Sequence, residues 1–312
     1  MTEAIKAAYV FPGQGSQSVG MGLDLYQNYD AARAVFEQAD KSLGFPLSKL
    51  CFEGPEDELI KTVNAQPAIV TVSFACLEAA RSLNGALPPA GFVAGHSLGE
   101  YTALAAAGVL DFATTVYLAR ERGRLMHQAG QLNPGGMAAI IGLDEEPLAE
   151  VCRQTGTRIA NINCPGQIVI SGARDNLAQA MELVKDRGAH RTIPLQVSGA
   201  FHTPLMQPAV DGMAEVMATL SFSDPTVPII GNTTARPLTT AQAVKEELLN
   251  QLCNCVQWQR SVEYMVNDGV STFIEIGPGR VLAGLIKRID RGVKILNIGD
   301  AEAVKNIAQG VR

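Results

Sequence analysis

The stretch Gly91–Gly108, GFVAGHSLGEYTALAAAG, holds a single serine, Ser97, between Gly95 and Gly99. Ahead of the serine, AGFVAG (90–95) is a short apolar run of strand character. Behind it, EYTALAAAG (100–108) is rich in small helix formers suited to packing closely on a sheet. Strand, tight turn and helix around G-x-S-x-G form the context a nucleophile elbow needs, where the turn lifts the serine hydroxyl out of the backbone. A glycine-rich loop satisfies the same string, so the rest of the chain has to decide.

Working outward, AAYVF (Ala7–Phe11) reads as a buried strand ending in the turn PGQGSQ. AARAVFEQADKSLG (31–44) has helical spacing and stops at Gly44. AQPAIVTVSFACLEAARSLNG (65–85) reads as a helix with Pro67 near its start and Gly85 at its end. The pattern changes between Gly135 and Gln196. Strand GMAAIIGL, helix DEEPLAEVCRQTG, strands RIANINC and QIVISG about a PG turn, helix ARDNLAQAMELVKDRG and strand RTIPLQ give the order βαββαβ of a ferredoxin-like unit. The chain then returns through VSGAFHTPLM, a long helical stretch, a strand at VPIIGN and a helix from about Ala241. A strand, glycine turn and helix in VSTFIEIGPGRVLAGLIKRI follow. This predicts an inserted small domain over 135–196 and a larger one over 1–134 and 197–312.

The 312 residues, 47% hydrophobic and 18% charged, are enough for a large core, and a net charge of -6 offers no field for phosphate backbones, so nucleic acid is not an expected partner. No apolar run reads as a membrane span and the start has no signal-peptide pattern, which predicts a cytoplasmic protein without a membrane partner. Six cysteines without a C-x-x-C pair read as reduced thiols, the CNC at 253–255 as packing residues, and no metal site is expected. PGQGSQSVGMG invites a dinucleotide-loop reading, but Ser18 stands where the third glycine belongs and no Walker lysine follows.

A serine hydroxyl becomes nucleophilic only beside a base. Four histidines are available. His96 adjoins Ser97 and should point away from it, His127 lies on an arginine-bearing helix, and His190 lies at the edge of the small domain. His202, in SGAFHTPL, follows a break in regular structure from which a side chain can face a cleft, and is the expected base.

FPGQGSQ, GHSLGEYTA, RGRLM, GAFH, VQW and IGPG occur in this order along the chain. Together they resemble the malonyl-CoA:acyl carrier protein transacylases, acyltransferases of fatty acid synthesis and polyketide assembly, over essentially the whole length. The resemblance implies an α/β fold: a hydrolase-like core with a mostly parallel sheet and a ferredoxin-like insertion. It implies an acyl-enzyme on Ser97 with His202 as base and acid, and an oxyanion hole from the backbone N–H groups of Gln14 and Leu98. Arg122 is implied as the fork for a malonyl carboxylate, and a main-chain carbonyl at Gln257 as the acceptor that orients the histidine. Phe201 is expected to narrow the acyl pocket against an α-methyl branch. The chemistry requires no cofactor, coenzyme A being part of the substrate. The expected partner is an acidic acyl carrier protein, docking on basic patches such as Lys287–Lys294 or Lys185–Arg191. An esterase or thioesterase built on the same nucleophile is the alternative.

Overall fold

The computed structural model describes residues 6–83 and 87–310. In chain order it opens with β1 (Ala7–Phe11), α1 (Leu23–Asn28), α2 (Asp30–Leu43), α3 (Leu47–Glu53), α4 (Glu56–Leu59) and α5 (Thr62–Ser82), then β2 (Ala90–Gly95), α6 (Gly99–Ala106) and α7 (Phe112–Leu132). The middle of the chain carries β3 (Gly135–Ile141), α8 (Glu145–Thr155), β4 (Arg158–Cys164), β5 (Gln167–Ala173), α9 (Arg174–Asp186) and β6 (Arg191–Pro194). After a 3₁₀ turn at Pro204–Met206 come α10 (Gln207–Ala218), β7 (Ile229–Ile230), β8 (Pro237–Leu238), α11 (Ala241–Cys253), α12 (Trp258–Asn267), β9 (Thr272–Ile276), α13 (Val281–Ile289), β10 (Lys294–Ile298) and α14 (Ala301–Gly310).

Two sheets organise these elements. The larger runs β10-β9-β1-β2-β7-β8, parallel throughout except for the last pair, and the smaller is antiparallel in the order β4-β5-β3-β6. The mostly parallel core sheet and the βαββαβ order expected from the sequence are both present. β1 lies at the centre of the larger sheet and is covered on both faces: Tyr9 and Phe11 join the main core, while Ala8 and Val10 join a second cluster with Trp258 and Phe273. That double cover is why AAYVF is apolar at every position instead of alternating. In the smaller sheet Ala138, Ile140 and Ile170 face α8 and α9, whereas Met137, Ala139 and Val169 face the main core.

Four readings shift. The helix containing Pro67 begins at Thr62, so the proline is its sixth residue, inside the helix, and the Val63 carbonyl loses the N–H that another residue would give it. Gly85 falls outside the described residues. This same α5 is long and apolar enough to cross a membrane by length and composition, against the expectation of no such run, but it is 78% buried over that window and packs on α2, α7 and α6. An all-round apolar helix is also what a core helix looks like. Finally, β10 was not anticipated, and VPIIGN forms regular strand only at Ile229–Ile230.

Candidate active site

Parallel sheets present functional loops at the carboxyl ends of their strands. Here β1 runs into Pro12–Gln14 and its neighbour β2 into His96–Ser97, so both loops open onto one cleft of about 260 Å³. Ser97, Gln14, Leu98, Arg122, Phe201 and His202 all line it, and Met137, Ala139 and Val169 of the smaller sheet close the opposite side.

The elbow is a matter of close approach. A Cβ on Gly95 would lie 1.9 Å from the carbonyl carbon of Gly99, and one on Gly99 would lie 2.0 Å from the Phe11 carbonyl oxygen, so no side chain fits at either position. Between them Ser97 adopts φ 49°. His202 is likewise left-handed at φ 60°. Such conformations cost of order 1–3 kcal/mol each for non-glycine residues, and here they fall on two facing side chains.

Those side chains meet. Ser97 Oγ lies 2.9 Å from His202 Nε2, and His202 Nδ1 lies 2.7 Å from the main-chain oxygen of Gln251. A carbonyl only accepts, so Nδ1 carries the proton and Nε2 is left to accept from the hydroxyl. Burial, and next the positive charge of Arg122, push His202 down to about 3, so the imidazole is neutral and able to act as a base at pH 7. The orienting carbonyl therefore belongs to Gln251 in the last turn of α11, not to Gln257. The Gln257 carbonyl is taken by the Ser261 N–H in the first turn of α12, and its own N–H donates 2.7 Å to Asn232 O. The sequence motif VQW instead ties α12 to the smaller sheet, through Val256 N–H to Ala160 O and Ile162 N–H to Val256 O.

Ser97 N–H donates 2.7 Å to Asn232 Oδ1, which leaves the next N–H, of Leu98, as the donor at the turn. Neither Leu98 N–H nor Gln14 N–H meets an acceptor among the described residues, and both residues line the cleft. Two uncommitted N–H groups beside a hydroxyl are what a developing oxyanion needs. The Gln14 side chain is held back by Thr62, whose hydroxyl donates 2.7 Å to Gln14 Oε1.

Arg122, on α7, is 1% exposed. Its Nη1 donates to Gln66 Oε1 at 2.9 Å, and its Nη2 donates to Gln251 Oε1 at 2.6 Å and to Ser97 Oγ at 3.1 Å. The partners are two amides and a hydroxyl, with no carboxylate. The Nε hydrogen has no partner among the described residues, and with one Nη1 hydrogen and the one lent to Ser97 it remains for an incoming anion, donors that a guanidinium uses in pairs for a carboxylate. Phe201 is buried and lines the cleft beside His202. His96 lines the same cleft but does not bond Ser97: it donates 2.8 Å from Nε2 to Asn163 Oδ1 and packs edge-on to Trp258. His127 and His190 are not among the lining residues.

Four residues of this centre escape a reading of the sequence: Gln66, Glu100, Asn232 and Gln251. Asn232 binds the Ser97 N–H, the Gly95 carbonyl and Glu100. Only Glu100, inside GHSLGEY, had a nearby signal: a charged residue in the first turn of an otherwise apolar, buried helix. Of the basic patches, Arg288 reaches across to the β4–β5 turn, donating to Gln167 Oε1 and Pro165 O, and Lys287 donates to Arg291 O. Gln167, Val281 and Leu285 line the cleft, so the α13 patch adjoins its mouth, whereas none of 185–191 lines it.

The comparisons agree with this geometry. Residues 8–308 match the family model described as acyl transferase domain. The malonyl CoA-acyl carrier protein transacylase of Bacillus subtilis (strain 168) is 45% identical over 312 residues, covering 98% of each chain, and that of Escherichia coli (strain K12) is 44% identical, covering 90% of this chain and 92% of its own. Among solved structures, an acyl-carrier-protein-S-malonyltransferase from Bartonella henselae superimposes with a TM-score of 0.94 at 42% identity, over 98% of this chain and 99% of that one. A malonyl-transacylase in complex with a type II PKS acyl-carrier protein gives 0.94 at 38% identity, over 97% and 99%. This chain belongs to the acyl transferase family, among its malonyl CoA-acyl carrier protein transacylases.

Proposed function

We propose that the protein moves a malonyl group from coenzyme A to the phosphopantetheine thiol of an acyl carrier protein through an acyl-enzyme on Ser97. The observation that carries this reading is a single hydroxyl placed 2.9 Å from a neutral imidazole and 3.1 Å from a buried guanidinium. Ser97 Oγ attacks the thioester carbonyl as its proton passes to His202 Nε2. The oxyanion forms against the N–H groups of Leu98 and Gln14, each worth on the order of 3 kcal/mol in the barrier. The carbon–sulfur bond then breaks, and the imidazolium returns the proton to the departing thiol. A carrier thiol repeats the steps in reverse: His202 takes its proton, sulfur attacks the Ser97 ester, and Oγ leaves with the proton. Throughout, the free carboxylate of the malonyl group occupies Arg122, which lets Ser97 Oγ go as it does so.

In this reading Phe201 crowds the carbon next to the thioester, Gln251 supplies the carbonyl that fixes the histidine tautomer, and 135–196 is a small domain closing one wall of the cleft. The names of the relatives, and the carrier complex of one of them, support the substrate and the partner. No step calls for a metal or organic cofactor. A cytoplasmic location remains part of the reading, supported by six free cysteines.

Incubation with radiolabelled malonyl-CoA tests it. A stable adduct should form on the wild type and not on Ser97→Ala, and should chase onto holo carrier protein. Release of the label to water at the same rate with and without carrier would make the protein a thioesterase instead.

A further inference from the structure

Glu100 is 1% exposed, and the chemistry above does not use it. Its carboxyl group receives three N–H donors and no acceptor: Asn232 N and Nδ2 both donate to Oε1 at 2.9 Å, and Gln251 Nε2 donates to Oε2 at 2.6 Å. Gln251 is thereby oriented. With its Nε2 directed at Glu100 and at the Ser97 carbonyl oxygen (2.9 Å), its Oε1 faces Arg122 Nη2. The opposite amide orientation would set NH₂ against the guanidinium and oxygen against a carboxylate.

The chain of contacts runs from carboxylate through a neutral amide to a buried cation. Arg122 therefore has a counter-charge one side chain away. A carboxylate in direct contact would occupy the hydrogens that a substrate carboxylate has to take, and breaking such a buried pair costs several kcal/mol. A cation with no anion nearby would face the burial penalty alone. Burial pushes Arg122 down from its ordinary value, and Tyr101 and then Glu100 oppose that effect. Burial, and next the neighbouring Glu247, itself held by Thr233, push the Glu100 carboxyl well above its ordinary value, while its surroundings offer only N–H donors and no acceptor for a carboxyl proton. The three donors favour its charged form.

From this arrangement we infer that Glu100 is a positioning residue for recognition of the acyl carboxylate: through Gln251 it holds Arg122 aimed at the cleft while leaving its fork free for the substrate. The inference rests on the malonyl reading given above, because it assigns Arg122 a carboxylate ligand. Its reach differs from that of a structural residue. It predicts a loss confined to acyl groups that end in an anion.

The test is Glu100→Gln. The new amide keeps its oxygen on Asn232, so the Ser97 elbow is undisturbed, but presents NH₂ to Gln251, donor against donor, and Gln251 has to release either Glu100's position or Arg122. Steady-state transfer is measured with malonyl-CoA and acetyl-CoA, alongside thermal melting. The expected result is a fall of about 30-fold in malonyl kcat/KM, carried mainly by KM, with acetyl kcat/KM within about 3-fold of wild type; the size is that of a lost hydrogen bond to a buried charged group. An equal fall for both substrates, or no change in either, overturns the inference. If Glu100→Gln fails to fold, the double variant Glu100→Gln with Gln251→Glu restores donor–acceptor pairing between residues 100 and 251, though not at the Ser97 carbonyl, and it should show a raised malonyl KM because its carboxylate pairs directly with Arg122. Wild-type malonyl KM in that variant also overturns it. Absence of malonyl transfer by the wild type, in contrast, would overturn the proposed function itself.

Discussion

Two turns on the same sheet share one sequence pattern and differ in what they can do. The segment after β2, Gly95–Gly99, and the segment after β9, Gly277–Arg280, each lead from a buried parallel strand through glycines into a helix. At the second, the left-handed positions are glycines, Gly277 at φ 137° and Gly279 at φ 79°, so the turn is unstrained. The second and third N–H groups of its helix are capped by a side chain: Leu282 and Ala283 donate to Glu275 at 3.0 and 2.8 Å. At the first turn, a serine occupies the left-handed position and the Leu98 N–H is left without an acceptor among the described residues. The acidic residue differs as well. Glu275 caps its helix, whereas Glu100 turns to Asn232 and Gln251 behind the nucleophile. A non-glycine residue in the left-handed position and an acidic residue turned behind the nucleophile mark the reactive turn, and glycines with a capping carboxylate mark the packing turn.

The sharpest way to break this contrast is to exchange the chemistry of the two turns. Ser97→Gly should lower acyl transfer by at least about 10⁴-fold, as loss of a covalent nucleophile does. It should nevertheless melt no earlier than the wild type, since glycine removes strain on the order of 1–3 kcal/mol. A melting temperature several degrees lower would mean that Ser97 is not strained. Gly277→Ala should do the reverse. Its Cβ would meet Ser73 Oγ at 2.2 Å at a φ that L side chains rarely adopt, so stability measured by urea unfolding should fall by about 3 kcal/mol or more. Any folded fraction should keep the wild-type kcat for malonyl transfer. The smallest effect concerns the wall of the cleft: Phe201→Ser should raise the methylmalonyl to malonyl ratio of kcat/KM by about 10-fold, the worth of relieving one methyl group in an apolar pocket. An unchanged ratio would reduce Phe201 to core packing.

How much of this was legible in the chain depends on the range of the interaction. The strand–turn–helix around Ser97, the continuous apolar AAYVF and the βαββαβ order are encoded by neighbours a few residues apart, and they reappear in the structure with small shifts in their ends. Ser97 stood out by its strand–turn–helix string and His202 by the break in regular structure around it, whereas Arg122 stood out only through the resemblance carried by the ordered motifs. The acceptor for His202 did not. Any residue has a main-chain carbonyl, and whether Gln251 or Gln257 offers it depends on where α11 ends and α12 begins in space. β10 was missed for a related reason: KILNI is short and only partly buried, and pairing with β9 defines it as a strand.

The sequence by itself thus determined the alternation of strands and helices and the elbow that carries Ser97, since these follow from local sterics, periodicity and side-chain chemistry, and its ordered motifs named the other reacting groups through the resemblance. Tertiary structure alone decided that residues 66, 100, 122, 232 and 251 form one buried network behind Ser97. The physical reason is that a buried polar group must find its partner wherever folding brings one, and residues far apart along the chain carry no local mark of that pairing.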